Sequence, residues 1–191
     1  MQDERCHCQR RVNEVVIAYL CLGSNLGNRE ENLSQALNLL SQKVNLKEVS
    51  PVYETEPVPS VNRGKKQPLF LNLVCRIATN LIPEELLDLV KEIETRLGRI
   101  PSRQRNSPRP IDIDILFYDN NIIKTHNLTI PHPRLQDRAF VLIPLAEIAP
   151  KLVHPGLGKR ITQLTEDVRG KKGVRRYKGG FDVSDICGRA L

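Results

Sequence analysis

The sequence predicts an α+β domain in which an antiparallel four-stranded sheet carries two helices on one face, followed by C-terminal additions. Three observations support this. Apolar runs of strand length begin near residues 15, 46, 69 and 111. Segments of helical period follow the first and third of them, and Gly, Pro or Asn punctuates the joins.

Val15–Leu22 (VVIAYLCL) is an unbroken apolar run closed by Gly23-Ser24-Asn25, the mark of a buried strand. Asn28 can cap a helix, and Glu31 stands three residues on, where it can reach back to the Asn28 amide. Leu33, Ala36, Leu37 and Leu40 follow at helical spacing and predict a helix over 29–43. Leu46, Val49 and Val52 predict a second strand over 46–54. Three prolines, Gly64 and Lys65-Lys66 make Glu56–Pro68 a loop. Leu69–Ala78 reads as a third strand, with Asn72 set among apolar neighbours. Pro83 suits the first turn of a second helix, whose apolar face is Leu86, Leu87, Val90, Ile93 and Leu97 before Gly98 ends it.

Ile111–Tyr118 is the fourth strand. Asn120-Asn121 is a turn, a short hairpin or loop runs to Ile130, and Pro131–Arg138 is irregular or a short helix. Phe140–Ala149 is apolar, and its pattern leaves the element type open. From about residue 160 the sequence is basic and Gly-rich with little periodicity, so a mobile extension is expected. The expected organisation is an N-terminal extension over 1–14, a folded domain over 15–158 and a basic tail over 159–191. The order β-α-β-β-α-β up to Tyr118, with both helices on one face, is the ferredoxin-like arrangement. Fold alone does not decide function.

Composition excludes several function classes. The longest apolar run is far short of the roughly 20 residues that span a bilayer. Residues 1–14 carry Asp3, Glu4 and Glu14, a poor signal or transit peptide, so a cytoplasmic protein is expected. Five cysteines, with Cys21 and Cys75 inside apolar runs, do not form a disulfide framework. Cys6-His7-Cys8 has no second ligand pair to complete a zinc site. The net charge of +7 is local: the tail from Lys159 contributes +5, and Arg99–Arg109 holds four arginines and no acid. That distribution suits a polyphosphate pocket and a solvated tail better than a nucleic-acid face.

On a strand, residues i and i+2 share a face, so Asp112 and Asp114 point one way and Ile111, Ile113 and Ile115 the other. By itself Asp-x-Asp reads equally well as two acids on a solvent-facing strand. Beside the arginine loop it reads as a divalent-metal site for phosphate transfer, because carboxylates gather hard cations and guanidinium groups pair with phosphate oxygens. No Gly-rich phosphate loop and no kinase signature is present, so the common nucleotide-binding folds are excluded. A ferredoxin-like RNA-binding module using the basic tail is the main alternative, but the aromatic RNP sequence is missing. In a small-ligand regulatory domain of this fold, the aspartates and arginines would lack a purpose.

Gly23-Ser24-Asn25-Leu26-Gly27, Tyr53-Glu54-Thr55-Glu56-Pro57, Phe70-Leu71-Asn72, Gly98-Arg99, Pro108-Arg109-Pro110-Ile111-Asp112-Ile113-Asp114, Ile130-Pro131-His132 and Arg138-Ala139-Phe140-Val141 stand in order. Together, over about 15–155, they resemble the hydroxymethyl-dihydropterin pyrophosphokinase family of folate biosynthesis. The resemblance implies a ferredoxin-like, cytoplasmic, monomeric enzyme that moves the diphosphate of ATP to 6-hydroxymethyl-7,8-dihydropterin, with AMP leaving. Its partners would be these small molecules, with no nucleic acid or membrane, and association with other folate enzymes is compatible. Asp112 and Asp114 would hold two magnesium ions, and Arg99 and Arg109 would stabilise charge on the transferring group. Glu94, Arg109, Ile115, Thr129, His132 and Arg138 would contact ATP. Gly23, Thr55 and Asn72 would hold the pterin ring, with Phe70 and Phe140 sandwiching it. A flat heterocycle does want two aromatic faces and a few fixed polar groups. The sequence departs from the commoner pattern at Asn106-Ser107, where an aromatic residue and glycine are frequent. It departs also at Pro101, Ser102, Asn127 and Pro133, with Arg103 and Arg105 expected to compensate. His126 and His154 are expected at the surface, without a ligand role.

Overall fold

The computed structural model describes residues 14–57, 67–100 and 107–179. The expectations for Cys6-His7-Cys8, for most of the 56–68 loop, for Pro101–Asn106 and for the last twelve residues lie outside them.

Strand β1 (Val16–Ser24) lies between β4 (Phe70–Thr79) and β5 (Asp112–Tyr118), antiparallel to both. The far edge of β4 pairs with two short strands, β2 (Asn45–Val49) toward one end and β3 (Tyr53–Thr55) toward the other. Helices α1 (Arg29–Ser41) and α2 (Pro83–Arg96) supply the βαββαβ order. The antiparallel order β5-β1-β4 followed by β2 and β3 is the expected ferredoxin-like sheet. Asn28 caps α1 by accepting from the Glu31 amide at 3.2 Å, whereas the Glu31 carboxylate accepts from Gln35 at 2.8 Å, one turn on. At α2 the carboxylate does reach back: the Ile82 amide donates to Glu85 at 3.0 Å.

The single strand expected over 46–54 is broken at Ser50–Val52. Pro51 has no N–H for the ladder, and the buried Ser50 hydroxyl accepts from the Val74 amide at 3.0 Å. The break lets one edge of β4 carry two differently directed strands.

Strand alternation divides the interior into two layers. Ala18, Leu20 and Leu22 of β1 join Leu33, Leu37, Leu86 and Val90 beneath α1 and α2. Tyr19 and Cys21 face the opposite layer with Val141, Leu142 and Leu145. A register shift between Tyr19 and Leu20 pairs Leu20 with Ile115 and Tyr19 with Phe117, leaving Leu116 as an extra residue. Leu116 and Phe117 then both enter the second layer.

That second layer is built by the C-terminal third of the protein. A two-stranded ribbon, β6 (Ile123–Lys124) and β7 (Thr129–Ile130), leads to a short 3-10 turn over Leu135–Asp137. The element of open type is helix α3 (Ala139–Ile148), which keeps Pro144 inside it. The tail expected to be mobile from about 160 instead folds as α4 (Ile161–Asp167) and β8 (Val174–Arg176). Ile161, Leu164 and Val168 are buried against α3, and β8 adds to the sheet edge by pairing with β3. These apolar positions are spaced like a helical face, but basic residues surround them. His154, expected at the surface, is buried edge-on against Phe117 at 5.6 Å between ring centroids. Cys21 and Cys75 are both buried.

Candidate active site

The open end of the second layer holds a cleft of about 590 Å³ of empty space continuous with solvent. Sheet register assembles its floor. Gly23 lies opposite Asn72 on one side and Asp112 on the other, and Cys21 lies opposite Asp114. Tyr53 and Thr55 of β3 pair with Asn72 and Phe70 of β4. The cleft lining therefore joins Gly23, Thr55, Phe70, Asn72 and Phe140 to Asp112, Asp114, Arg109 and Arg138. Several segments distant in sequence meet there.

The polar end of the slot is fixed before any ligand arrives. Asn72, buried in β4, donates from Nδ2 to Thr55 Oγ1 at 2.8 Å, so its carbonyl oxygen is directed toward β1. A Cβ at position 23 would stand 2.8 Å from Asn72 Oδ1. Gly23 is needed for this close approach and not for an unusual backbone angle. Phe70 and Phe140 each carry a guanidinium over the ring, Arg109 at 5.9 Å and Arg138 at 5.5 Å to the centroids.

The charged end is a self-neutralising cluster. Arg99 Nη1 donates to Asp112 Oδ1 at 2.6 Å, and Arg109 Nη1 lies 3.2 Å from Asp112 Oδ2. Arg138 Nη1 donates to Asp114 Oδ2 at 3.1 Å, with His132 Nε2 at 3.8 Å from the same oxygen. These pairs answer the repulsion expected between neighbouring carboxylates. Both aspartates remain partly exposed, at 25% and 33% of the side chain, so a cation or phosphate can reach them. Among the described residues no group of three or more His, Cys, Asp or Glu forms a metal cage. Two carboxylates alone suit a hard cation such as magnesium, which takes few protein ligands and completes its shell with phosphate and water.

Glu94, expected at the nucleotide, is buried in α2 and fully engaged. Its Oε1 accepts from Arg99 and, at 2.8 Å, from the Ile113 amide between the two aspartates, while Oε2 pairs with Lys91 at 2.9 Å. It orients Arg99 and the start of β5 from behind. Ile115, also expected at the nucleotide, buries its side chain in the α1–α2 layer, leaving only backbone for a ligand. Thr129 lies on β7, outside the cleft lining. His132 stands beside the cleft, and burial lowers its pKa below the usual imidazole value.

Sequence reasoning gave no role to four contributors. Cys21 forms part of the floor; burial, reinforced by Asp114, pushes its thiol well above the ordinary value, so it stays protonated. Only the register opposite Asp114 could have separated it from an ordinary core cysteine. Asn25 links segments: its amide donates to Arg109 O at 3.2 Å and its Oδ1 accepts from the Arg109 amide at 2.8 Å. The signal was a polar residue in the turn directly after a buried strand. Glu56 and Pro57 close the rim; the sequence placed them in a family-like motif at the start of a loop but gave them no role.

Residues 19–150 match the family described as 7,8-dihydro-6-hydroxymethylpterin-pyrophosphokinase. The 2-amino-4-hydroxy-6-hydroxymethyldihydropteridine pyrophosphokinase of Bacillus subtilis is 43% identical over 168 residues, 87% of this chain and 94% of that protein. The folic acid synthesis protein FOL1 of Dictyostelium discoideum is 42% identical over 141 residues, 74% of this chain but 21% of that protein. The chain therefore spans about a fifth of the longer relative and nearly all of the shorter one. Wild-type Plasmodium falciparum HPPK-DHPS, crystallised with SDX-DHP, shares the fold with a TM-score of 0.66 at 20% identity, over 81% of this chain and 44% of that one.

Proposed function

The chain belongs to the 7,8-dihydro-6-hydroxymethylpterin-pyrophosphokinase family, and from that premise we propose that it transfers diphosphate from ATP to 6-hydroxymethyl-7,8-dihydropterin in folate biosynthesis. The observation that carries this reading is the cleft in which the Phe70, Phe140, Asn72 and Thr55 slot adjoins the Asp112, Asp114, Arg109 and Arg138 cluster. One end suits a flat hydrogen-bonding ring and the other suits polyphosphate.

The pterin hydroxyl oxygen bonds to the β-phosphorus of ATP. The bond from that phosphorus to the oxygen bridging the α-phosphate breaks, AMP departs with the bridging oxygen, and the hydroxyl proton passes to solvent. Such a transfer needs alignment and charge compensation more than a protein nucleophile, in keeping with a protonated Cys21. Asn72, Thr55 and the Gly23 backbone hold the ring edge, and Phe70 and Phe140 cover its faces. Asp112 and Asp114 would hold magnesium, as two ions, which would supply positive charge against the phosphates. Arg99 and Arg109 exchange their Asp112 contacts for the transferring group, while Arg138 and His132 face the nucleotide. Glu94 keeps Arg99 aimed. The reading carries a monomeric cytoplasmic enzyme acting on small molecules, whose product passes to another folate enzyme.

Calorimetric titration with a non-hydrolysable ATP analogue, with and without magnesium and the pterin alcohol, tests this. Tight nucleotide binding that requires magnesium, and pterin binding strengthened by the analogue, are expected. Nucleotide binding indifferent to magnesium would contradict the assignment of Asp112 and Asp114.

A further inference from the structure

Beside the pterin slot, the tail creates a second cleft, of which the proposed reaction uses only the wall that the two share. Because β8 pairs Val174 with Thr55, the turn before it is brought alongside the start of α3. The new cleft is lined by Arg169 and Gly170 on the tail side and by Arg134 opposite, and it shares Thr55, Glu56, Pro57, Arg138 and Phe140 with the main cleft. Phe140 is thus a common wall.

The charge balance of this cleft favours an anion. Arg138 is held by Asp114, but Arg134 and Arg169 form no ion pair among the described residues. The acids at its margin are Glu56 and Asp137, both exposed. The turn itself reads Arg169-Gly170-Lys171-Lys172-Gly173, and among the described residues only Lys171 has its ammonium engaged, on Glu166 O at 2.8 Å. Gly170 takes a left-handed φ of 82°, and a Cβ at Gly173 would meet nothing within 4 Å, so there is room for a ligand to approach the backbone. Several guanidinium groups around one opening match a multiply charged phosphate group better than a single carboxylate.

We propose that this tail-walled cleft is a second anion site, which takes the diphosphate of the pterin product as it leaves the metal-facing end of the slot. The proposal rests on the diphosphotransfer reading, since that reaction supplies a flat ring bearing a diphosphate. The uncharged substituent of the pterin alcohol gives Arg134 and Arg169 nothing to bind, so the site distinguishes product from substrate.

Calorimetry in metal-free buffer, with wild type and an Arg134→Ala/Arg169→Ala variant, tests it using pterin diphosphate, pterin alcohol and inorganic diphosphate. Both arginines are exposed, so the fold should survive. Pterin diphosphate is expected to bind the variant about tenfold more weakly, and the alcohol within about twofold of wild type. Equal affinity of both proteins for pterin diphosphate overturns the proposal, as does a parallel loss for the alcohol. If wild type binds neither pteridine without nucleotide and metal, inorganic diphosphate decides the anion site alone, and the diphosphotransfer reading is tested separately by whether ATP, magnesium and the alcohol yield AMP. A loss of about tenfold in the variant supports the site, and no loss overturns it.

Discussion

Gly23→Ala separates the site from the fold. The added Cβ would lie 2.8 Å from Asn72 Oδ1, so the buried amide must turn or retreat. Either movement breaks the 2.8 Å bond from Asn72 Nδ2 to Thr55 Oγ1. Losing that bond costs the folded protein about 0.5–1.5 kcal/mol, while ring groups left unpaired against the misplaced amide cost binding about 1–3 kcal/mol. That binding loss of about 1–3 kcal/mol corresponds to pterin binding weakened roughly 5- to 150-fold. Stability should move in the other direction in part, because alanine in a strand is favoured over glycine by about 0.5–1 kcal/mol. The net change in stability is therefore within about 1 kcal/mol, a few degrees in Tm at most. Titrating the pterin in the presence of an ATP analogue, alongside a thermal melt, reads both quantities. Pterin affinity within about twofold of wild type in a well-folded Gly23→Ala protein would refute the close-packed slot.

Asp112→Ala or Asp114→Ala should remove turnover while leaving a folded protein, because each frees arginines that are partly exposed; near-wild-type turnover in both would exclude the metal assignment. Leu164→Ala, at a buried contact between α4 and α3, should lower unfolding stability by about 2–3 kcal/mol in urea, where a loose tail would show no change. Tyr53 donates to Glu147 at 2.8 Å, and burial followed by that bond pushes its phenol from 10.0 up to about 12. The folded value is the higher one, so this contribution is complete below pH 10 and is lost as pH rises toward 12. Tyr53→Phe should flatten that part of the stability profile measured by denaturant titration.

Much of the core was legible because local pattern and tertiary burial agree. The helical spacing of Leu33, Ala36, Leu37 and Leu40 marks residues that are all fully buried in α1. The alternation around Asp112 and Asp114 marks a strand with one apolar and one charged face. Failure came where a local signal was outweighed. Val49 and Val52 suggested one continuous strand, although Pro51 between them could not join the ladder. Ile161, Leu164 and Val168 were hidden by the basic residues around them, yet a short helix needs only those three to dock on α3. At the site, residue types pointed to phosphate and a flat ring. The links made by register and packing were not readable: Cys21 beneath Asp114, Asn25 bound to the Arg109 backbone, and Glu94 behind Arg99. Each depends on how the folded elements meet, and one sequence carries no record of that adjacency.

The central claim is diphosphate transfer from ATP to the pterin alcohol. Its most direct test is the nucleotide product formed by the purified protein with ATP, magnesium and 6-hydroxymethyl-7,8-dihydropterin, quantified by chromatography. The expected result is AMP appearing in step with pterin diphosphate, one for one. ADP with a pterin monophosphate, or no nucleotide turnover that depends on the pterin, would contradict it.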